Sequence, residues 1–135
     1  MKAIIRIPSH FKCFAVDDNE GRLDWFLSKL PNCTTAVSPN EAIMTLDTIE
    51  CFDIIFLDHD CDGKYFADPN DPEFLNKSFW RVAQHLHSTK YNGQVIVHSG
   101  NPVGAKRMAD FLKDVAEVTV LPFGTFDIEI NDLRI

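Results

Sequence analysis

Short apolar runs alternate along this chain with segments whose apolar residues recur at helical spacing. This alternation is typical of a parallel sheet, because consecutive parallel strands need a helical crossover between them. The run FDIIFL at 52–57 is continuously apolar after its aspartate, as expected for a central strand covered on both faces. The predicted core strands lie at 11–16, 34–37, 52–57, 94–97 and 118–121.

Helical patterns occupy the segments between these strands. The pattern at 23–30 is closed by a proline, and Ser38 and Glu41 form a capping box at the start of the next helix. Two further patterns lie at 79–86 and 108–115. Five strands and four helices in this order predict a three-layer, doubly wound parallel α/β fold with strand order 2-1-3-4-5.

Two end segments fall outside the alternation. AIIRI at 3–7 and FDIEI at 126–130 are each typical of an edge strand, and they either pair with each other or extend the sheet. A chain of 135 residues with 45% hydrophobic content is enough for one globular core and too little for two. We predict a single domain at 1–135, with a core at about 11–123 and terminal extensions at 1–10 and 124–135.

The segment 61–76 interrupts the pattern, because its glycine, prolines and aspartates sustain neither a strand nor a helix. A loop of this length inside a compact domain is often a functional lid, and disorder is the alternative. We expect this loop to control substrate access.

Net charge and cysteine spacing exclude several classes of protein. The formal charge of −7, from 13 basic and 20 acidic residues, predicts neither an extended nucleic-acid surface nor membrane binding. The four cysteines include no C-x-x-C pair, which indicates reduced structural thiols. The sequence contains neither a signal-peptide pattern nor an apolar run of about 20 residues, so we expect a soluble cytoplasmic protein.

Polar residues cluster where the first, third and fourth predicted strands end. They are Asp17, Asp18, Asp58, His59, Asp60, His98, Ser99 and Asn101. The carboxyl ends of parallel strands face one crevice, where doubly wound sheets bind ligands. Clustered carboxylates repel one another unless a cation neutralises them, so they predict a bound metal. Oxygen ligands favour Mg²⁺, with Mn²⁺ or Ca²⁺ as alternatives.

The strand ends VDD, LDHD and HSGNPVGAKRM resemble those of cyclic-phosphate processing receiver-like domains, a subgroup of response-regulator receivers with the CheY-like fold. The resemblance covers about 14–123. It implies an acidic pair at Asp17 and Asp18, a phosphoacceptor at Asp58 and a hydroxyl residue at Ser99. It also implies that Asp60 contacts the metal, and that the substrate is a cyclic phosphate end of the kind met in RNA repair.

Two features depart from the receiver pattern. Receivers carry a lysine before a proline at the end of the fifth strand, whereas this chain has Leu121 before Pro122. The final receiver helix is also replaced by the strand-like segment at 124–135. These departures argue against ordinary phosphorelay and leave a conventional output surface incomplete.

The candidate roles follow from this chemistry. Asp17, Asp18, Asp58 and Asp60 are the predicted metal ligands. Asp58, His59 and His98 are the predicted catalytic residues, the histidines acting as general base and acid. Ser99, Asn101, Arg107 and the amides that open the helix after Pro102 are the predicted phosphate contacts.

Each role has a structural alternative. Asp17 or Asp18 could cap the first helix, and Asn101 could cap the fourth without any ligand. His98 could be a satisfied core histidine, and Arg107 a surface residue. His59 projects to the side opposite Asp58 if the strand stays regular, which makes it the weaker histidine.

Three hypotheses of function remain open. The first is a metal-dependent phosphoesterase acting on a cyclic phosphate of an RNA end, a cyclic nucleotide or an ADP-ribose derivative. The second is a signalling receiver that accepts phosphate on Asp58. The third is a degenerate receiver that acts as an interaction module, with dimerisation through the edge strands as one route.

Overall fold

The computed structural model describes residues 2–48, 51–59 and 79–131. In chain order the elements are β1 (Ala3–Pro8), β2 (Cys13–Val16), α1 (Glu20–Lys29), β3 (Thr34–Ala36), α2 (Pro39–Thr48), β4 (Ile54–Leu57), α3 (Trp80–Ser88), β5 (Gln94–Val97), α4 (Pro102–Leu112), β6 (Glu117–Val120) and β7 (Phe126–Asn131). All five predicted core strands and four predicted helices are present, and the strand bounds agree within two residues. The predicted loop at 61–76 lies outside the described residues.

Five strands form one parallel sheet in the order β3-β2-β4-β5-β6. Counted over the core strands alone, this is the predicted order 2-1-3-4-5. Val16 pairs with Leu57, and Leu57 pairs with Val97, so the three central strands end in register. The residue after each of them therefore lies at the same edge of the sheet.

The two faces of this sheet carry separate hydrophobic cores. Val16 and Leu57 pack in a cluster that includes buried residues of α2, α3 and α4. Ala15 and Phe56 belong to a second cluster, which includes Phe26 of α1. Neighbouring strand residues enter opposite cores because strand side chains alternate between faces. The fold is thus three-layered, as predicted.

The two terminal strands form a parallel two-stranded ribbon, in which Ala3 pairs with Phe126 and Pro8 with Asn131. Of the two alternatives that the sequence leaves open, pairing with each other is therefore the observed one. The buried residues of the ribbon, Ile7, Phe126 and Ile128, join the cluster that contains α1. The ribbon completes the layer beside α1, and no helix follows β6 within residues 121–131, as the sequence predicts.

The alternating pattern of β7 divides into an inner apolar face and an outer acidic face. Phe126 and Ile128 are buried, whereas Asp127 lies 3.0 Å from Lys29 Nζ and Glu129 lies 3.7 Å from Arg6 Nε. These ion pairs are largely exposed, and exposed pairs contribute little stability. Because an isolated two-stranded ribbon is marginal in water, its apolar face holds it to the domain.

Two of the three described cysteines are suited to a structural role, in line with the sequence. Cys13 and Cys33 are buried, and burial raises their thiol pKa values to about 11 and about 12. Cys51 is exposed and free. Among the described helices, none has the length and apolar content needed to cross a bilayer.

Two isoleucines of β7 offer a test of how the ribbon is held. Ile128 is 4% exposed in the core, whereas Ile130 on the same strand is 46% exposed. We expect Ile128→Ala to lower the free energy of unfolding by about 2–5 kcal/mol, because it leaves a cavity between the ribbon and the sheet. We expect Ile130→Ala to change it by about 0.5 kcal/mol or less. Urea denaturation of both variants measures the difference, and equal losses would contradict this packing.

Candidate functional site

The polar residues after β2, β4 and β5 are fixed by backbone hydrogen bonds that continue the sheet ladder. The Asp17 amide donates to the Ala36 carbonyl at 3.1 Å, and the Asp58 amide donates to the Val16 carbonyl at 3.0 Å. The His98 amide donates to the Leu57 carbonyl at 3.1 Å. The carboxyl edge of the sheet thus holds these three side chains at fixed points, as the sequence predicts.

Three carboxylates converge at this edge. Asp17, Asp18 and Asp58 each offer an oxygen that lies within 4.8 Å of the others. Asp17 and Asp58 are buried and Asp18 is half-buried. An oxygen-only set of this kind suits a hard divalent cation such as Mg²⁺. Asp60, the fourth predicted ligand, lies outside the described residues.

A fully buried hydrogen bond joins Asp17 to His98. His98 Nε2 lies 2.8 Å from Asp17 Oδ2, and the imidazole contacts the ring of Phe26 edge-on. Burial lowers the pKa of His98, although the hydrogen bond to Asp17 acts in the opposite direction. Burial alone would raise the pKa of Asp17, but the His98 hydrogen bond, the Asn19 amide and the Arg22 charge outweigh it and hold that pKa low.

The hydrogen bond between Asp17 and His98 constrains where the imidazole carries its proton. An ionised carboxylate only accepts hydrogen bonds, so a neutral His98 must carry its proton on Nε2 and donate it to Asp17. Within the described residues, His98 Nδ1 then has no hydrogen-bond partner. His98 is thus a core histidine with a hydrogen-bond partner on one nitrogen only. The sequence leaves open a catalytic histidine and a fully satisfied core histidine, and the observed state lies between these two.

Arg22 is the residue beside the acidic cluster that sequence reasoning missed. Its Nη1 lies 3.4 Å from Asp17 Oδ2 and 3.7 Å from Asp58 Oδ2. The guanidinium carbon lies 5.7 Å from the centre of the Phe123 ring. A signal existed, because Arg22 falls in the first turn of α1, where the helix dipole disfavours a positive charge.

Neither Asp17 nor Asp18 caps the first helix, and that interpretation is wrong. The N-cap of α1 is Asn19, whose Oδ1 accepts from the Arg22 amide at 3.0 Å. Asp17 Oδ1 in turn accepts from the Asn19 amide at 2.9 Å. Because Asn19 caps the N-terminus of α1, neither aspartate is needed as its cap and both remain at the site.

His59 lies on the far side of the strand from the acidic cluster. Its ring packs against Gly104 of α4, so closely that a Cβ at that glycine would lie 2.7 Å from His59 Nδ1. The expected projection away from Asp58 is therefore observed. The His59 amide, by contrast, donates to Asp58 Oδ1 at 2.9 Å, so its backbone orients that carboxylate.

The predicted phosphate contacts are only partly gathered at the site. Ser99 is buried, and its hydroxyl oxygen accepts from the Asn101 amide at 3.0 Å. Asn101 caps α4 through Oδ1, which accepts from the Gly104 amide at 3.1 Å. Arg107 is exposed on α4, and no contact joins it to the three aspartates of the described cluster.

These features define the class of protein. An acidic pair after the first core strand, an aspartate after the third and a hydroxyl residue after the fourth lie on a five-stranded sheet of order 2-1-3-4-5. This is a response-regulator receiver-like domain. The chain belongs to the cyclic-phosphate processing receiver domain family, whose sequence model matches residues 14–114.

Solved structures support the fold. A receiver domain of the Francisella response regulator 1452 superposes with a TM-score of 0.58 at 18% identity, covering 86% of this chain and 88% of that one. A fusion chain that carries a yeast Spc42 trimeric coiled-coil segment superposes with a TM-score of 0.53 at 12% identity, covering 82% and 68%. No curated protein matches the chain significantly.

The packing of His59 on Gly104 gives a test of this side of the site. We expect Gly104→Ala to lower the free energy of unfolding by about 1–3 kcal/mol, because the added methyl group displaces the imidazole. Gly100→Ala is the matched control, since a Cβ at Gly100 meets no atom within 4 Å. Urea denaturation measures both variants. A Gly104→Ala loss that is undiminished in a His59→Ala background would contradict the contact.

Proposed function

We propose that this domain hydrolyses a cyclic phosphate with the help of a divalent cation held by Asp17, Asp18 and Asp58. The observation that carries the proposal is the convergence of the three carboxylates within 4.8 Å at the ligand-binding edge of a receiver sheet. Membership of the cyclic-phosphate processing family supplies the substrate class. Asp60 remains a proposed fourth ligand from outside the described residues.

The three aspartates offer only carboxylate oxygens to a metal, and such ligands favour Mg²⁺, with Mn²⁺ second. When bound, such a cation would act as a Lewis acid on the phosphoryl group and neutralise part of its charge. His98 Nε2 is already engaged by Asp17, so that nitrogen does not compete with the carboxylates for the cation. This arrangement supports a hard oxygen-binding cation over a metal that prefers imidazole.

Hydrolysis of the ring forms a bond from water oxygen to phosphorus and breaks one ring P–O bond. The water must lose a proton, and the ring oxygen that leaves must gain one. One oxygen of Asp58 accepts from the His59 amide, and the other, Oδ2, faces Arg22. We assign Asp58 Oδ2 as the acceptor of the water proton, and the ring oxygen, which leaves on the opposite side of phosphorus, takes its proton from solvent.

Groups after β5 are suited to the phosphoryl oxygens. The Ser99 oxygen accepts from the Asn101 amide, which leaves the hydroxyl proton for a substrate oxygen. Pro102 has no amide hydrogen and the Gly104 and Ala105 amides donate to Asn101, so the Val103 amide is the proposed donor at the start of α4. Asn101 and Arg107 remain proposed contacts, Asn101 through its side-chain amide group and Arg107 from the exposed face of α4.

His98 acts in this scheme as a positioning residue. It is fully buried and donates to Asp17, so it orients that carboxylate and does not meet the substrate. Substitution of residues that orient a metal ligand typically lowers affinity or activity by about 10–100-fold. The direct acid–base role that the sequence suggests is therefore replaced by orientation of a ligand.

The substrate is proposed to be a small cyclic phosphate or a terminal one on RNA. The formal charge of −7 disfavours binding along a phosphate backbone, so recognition has to be local. An RNA end, a cyclic nucleotide and an ADP-ribose derivative share the same reacting group and remain the alternatives.

A second candidate function is phosphate acceptance on Asp58, as in signalling receivers. The position of Asp58 after the central strand β4, beside Asp17 and Asp18, favours it. The half-buried Leu121 disfavours it, because it stands where receivers carry the lysine that contacts the phosphoryl group.

Turnover of a 2′,3′-cyclic nucleotide with Mg²⁺ or Mn²⁺ tests the first function. We expect Asp58→Asn to lower the rate by at least about 10²-fold, because it removes a ligand of the cation as well as the acceptor of the water proton. We expect His98→Ala to lower it by about 10–100-fold through misorientation of Asp17. Chromatographic separation of the phosphomonoester from the cyclic substrate measures these rates.

Asp24→Asn is the charge-matched control, because Asp24 is exposed on α1, and we expect it to retain the wild-type rate. Wild-type protein that turns over none of the cyclic phosphates with either metal would contradict the hydrolase proposal. If the same protein instead forms a beryllofluoride adduct that Asp58→Asn abolishes, seen by fluorine NMR, the phosphoacceptor function would replace it.

A further inference from the structure

A single guanidinium bridges two of the three carboxylates. Arg22 Nη1 lies 3.4 Å from Asp17 Oδ2 and 3.7 Å from Asp58 Oδ2, and these aspartates follow adjacent strands. Tight charge-assisted hydrogen bonds are shorter, at about 2.7–2.9 Å. The bridge is therefore mainly a charge interaction, which a competing cation can break without the loss of a tight hydrogen bond.

The position of Arg22 is unfavourable apart from this contact. A cation in the first turn of α1 opposes the helix dipole, and the Phe123 ring offers only partial compensation. The two carboxylates supply the rest of its stabilisation. The side chain is also 34% exposed, so the guanidinium has a route into solvent without any movement of the backbone.

Arg22 and a divalent cation would share two of the same carboxylates. Two positive groups held within a few ångströms of each other repel strongly, more so where water is partly excluded. Asp17 is buried and also serves His98 and the Asn19 amide, so it has little capacity for both cations. Occupation by one therefore disfavours occupation by the other.

We propose that Arg22 is a tethered counter-cation of the acidic cluster, which keeps Asp17 and Asp58 together in the metal-free protein and which a divalent cation displaces. This inference rests on the proposed metal site and is independent of the reaction. Arg22 thereby weakens metal binding and limits it to cation concentrations that can compete with the guanidinium. It also supplies a positive charge to the edge where Leu121 replaces the receiver lysine.

Calorimetric titration of the whole chain with Mn²⁺ and Mg²⁺ tests this role. Arg22→Met keeps an aliphatic stem against Phe123 and removes the charge, and we expect it to tighten the metal dissociation constant about tenfold. We expect Arg22→Lys to stay close to wild type, because it restores the charge. Thermal unfolding gives a second readout, in which Arg22→Met lowers the metal-free midpoint and enlarges the upward shift on adding metal.

Lys29→Met is the matched control. Lys29 lies seven residues further along α1, pairs with Asp127 and has its Nζ near the Trp25 ring, away from the cluster. We expect its metal affinity to equal that of wild type. Asp58→Asn, which we expect to abolish binding, establishes the site separately from Arg22.

The outcomes distinguish this inference from the proposed function. Unchanged or weaker metal binding in Arg22→Met, alongside loss of binding in Asp58→Asn, overturns the counter-cation role and leaves the metal site intact. No binding in either wild type or Arg22→Met overturns both. A lower midpoint in Arg22→Met with the wild-type metal shift would mean that Arg22 is structural only, and would also overturn the inference.

Discussion

The buried charge of Asp17 is the constraint on which the rest of the site depends. Asp17 follows β2 and His98 follows β5, and β4 lies between these strands. With neighbouring strands about 4.8 Å apart, the pair spans roughly 9–10 Å of sheet edge. A buried carboxylate is costly unless it is fully paired, and here the His98 imidazole, the Asn19 amide and Arg22 meet that need. The hydrogen bond between Asp17 and His98 therefore links the ends of two non-adjacent strands and directs Asp17 toward Asp58.

The terminal ribbon connects the unusual part of the fold to the chemistry of this bond. Phe126 enters the aromatic cluster of Phe26 and Phe56, and Phe123 lies beside both Phe26 and His98. These rings exclude water from the imidazole, which is why burial dominates its pKa. The ribbon therefore contributes to the burial of His98 indirectly, through Phe126 packed against Phe26.

Strand ends were predictable from the sequence, whereas contacts across the sheet edge were not. Apolar runs that stop at Asp17, Asp58 and His98 predict which side chains reach the carboxyl edge, because parallel strands in register end together. Periodicity also predicts that His59 faces away. Periodicity carries no information on the pairing of Asp17 with His98, because that hydrogen bond joins residues 81 positions apart. The ribbon register depends likewise on packing against α1.

Arg22 shows why a helix residue near a site is harder to predict than a strand residue. A strand has two faces, so alternation assigns each side chain to one of them, but the rotation of a helix over the sheet is set by packing. Here Leu23 and Phe26 are buried in the core, and their burial turns Arg22, the residue before Leu23, toward the sheet edge. Counted at formal charges within the described residues, three carboxylates and one guanidinium leave the cluster with two uncompensated negative charges. A divalent cation that retained the guanidinium would neutralise the cluster, and one that displaced it would leave a single negative charge beside a free guanidinium. Under the proposal made above, displacement would provide a positive group for an anionic substrate when the metal is bound.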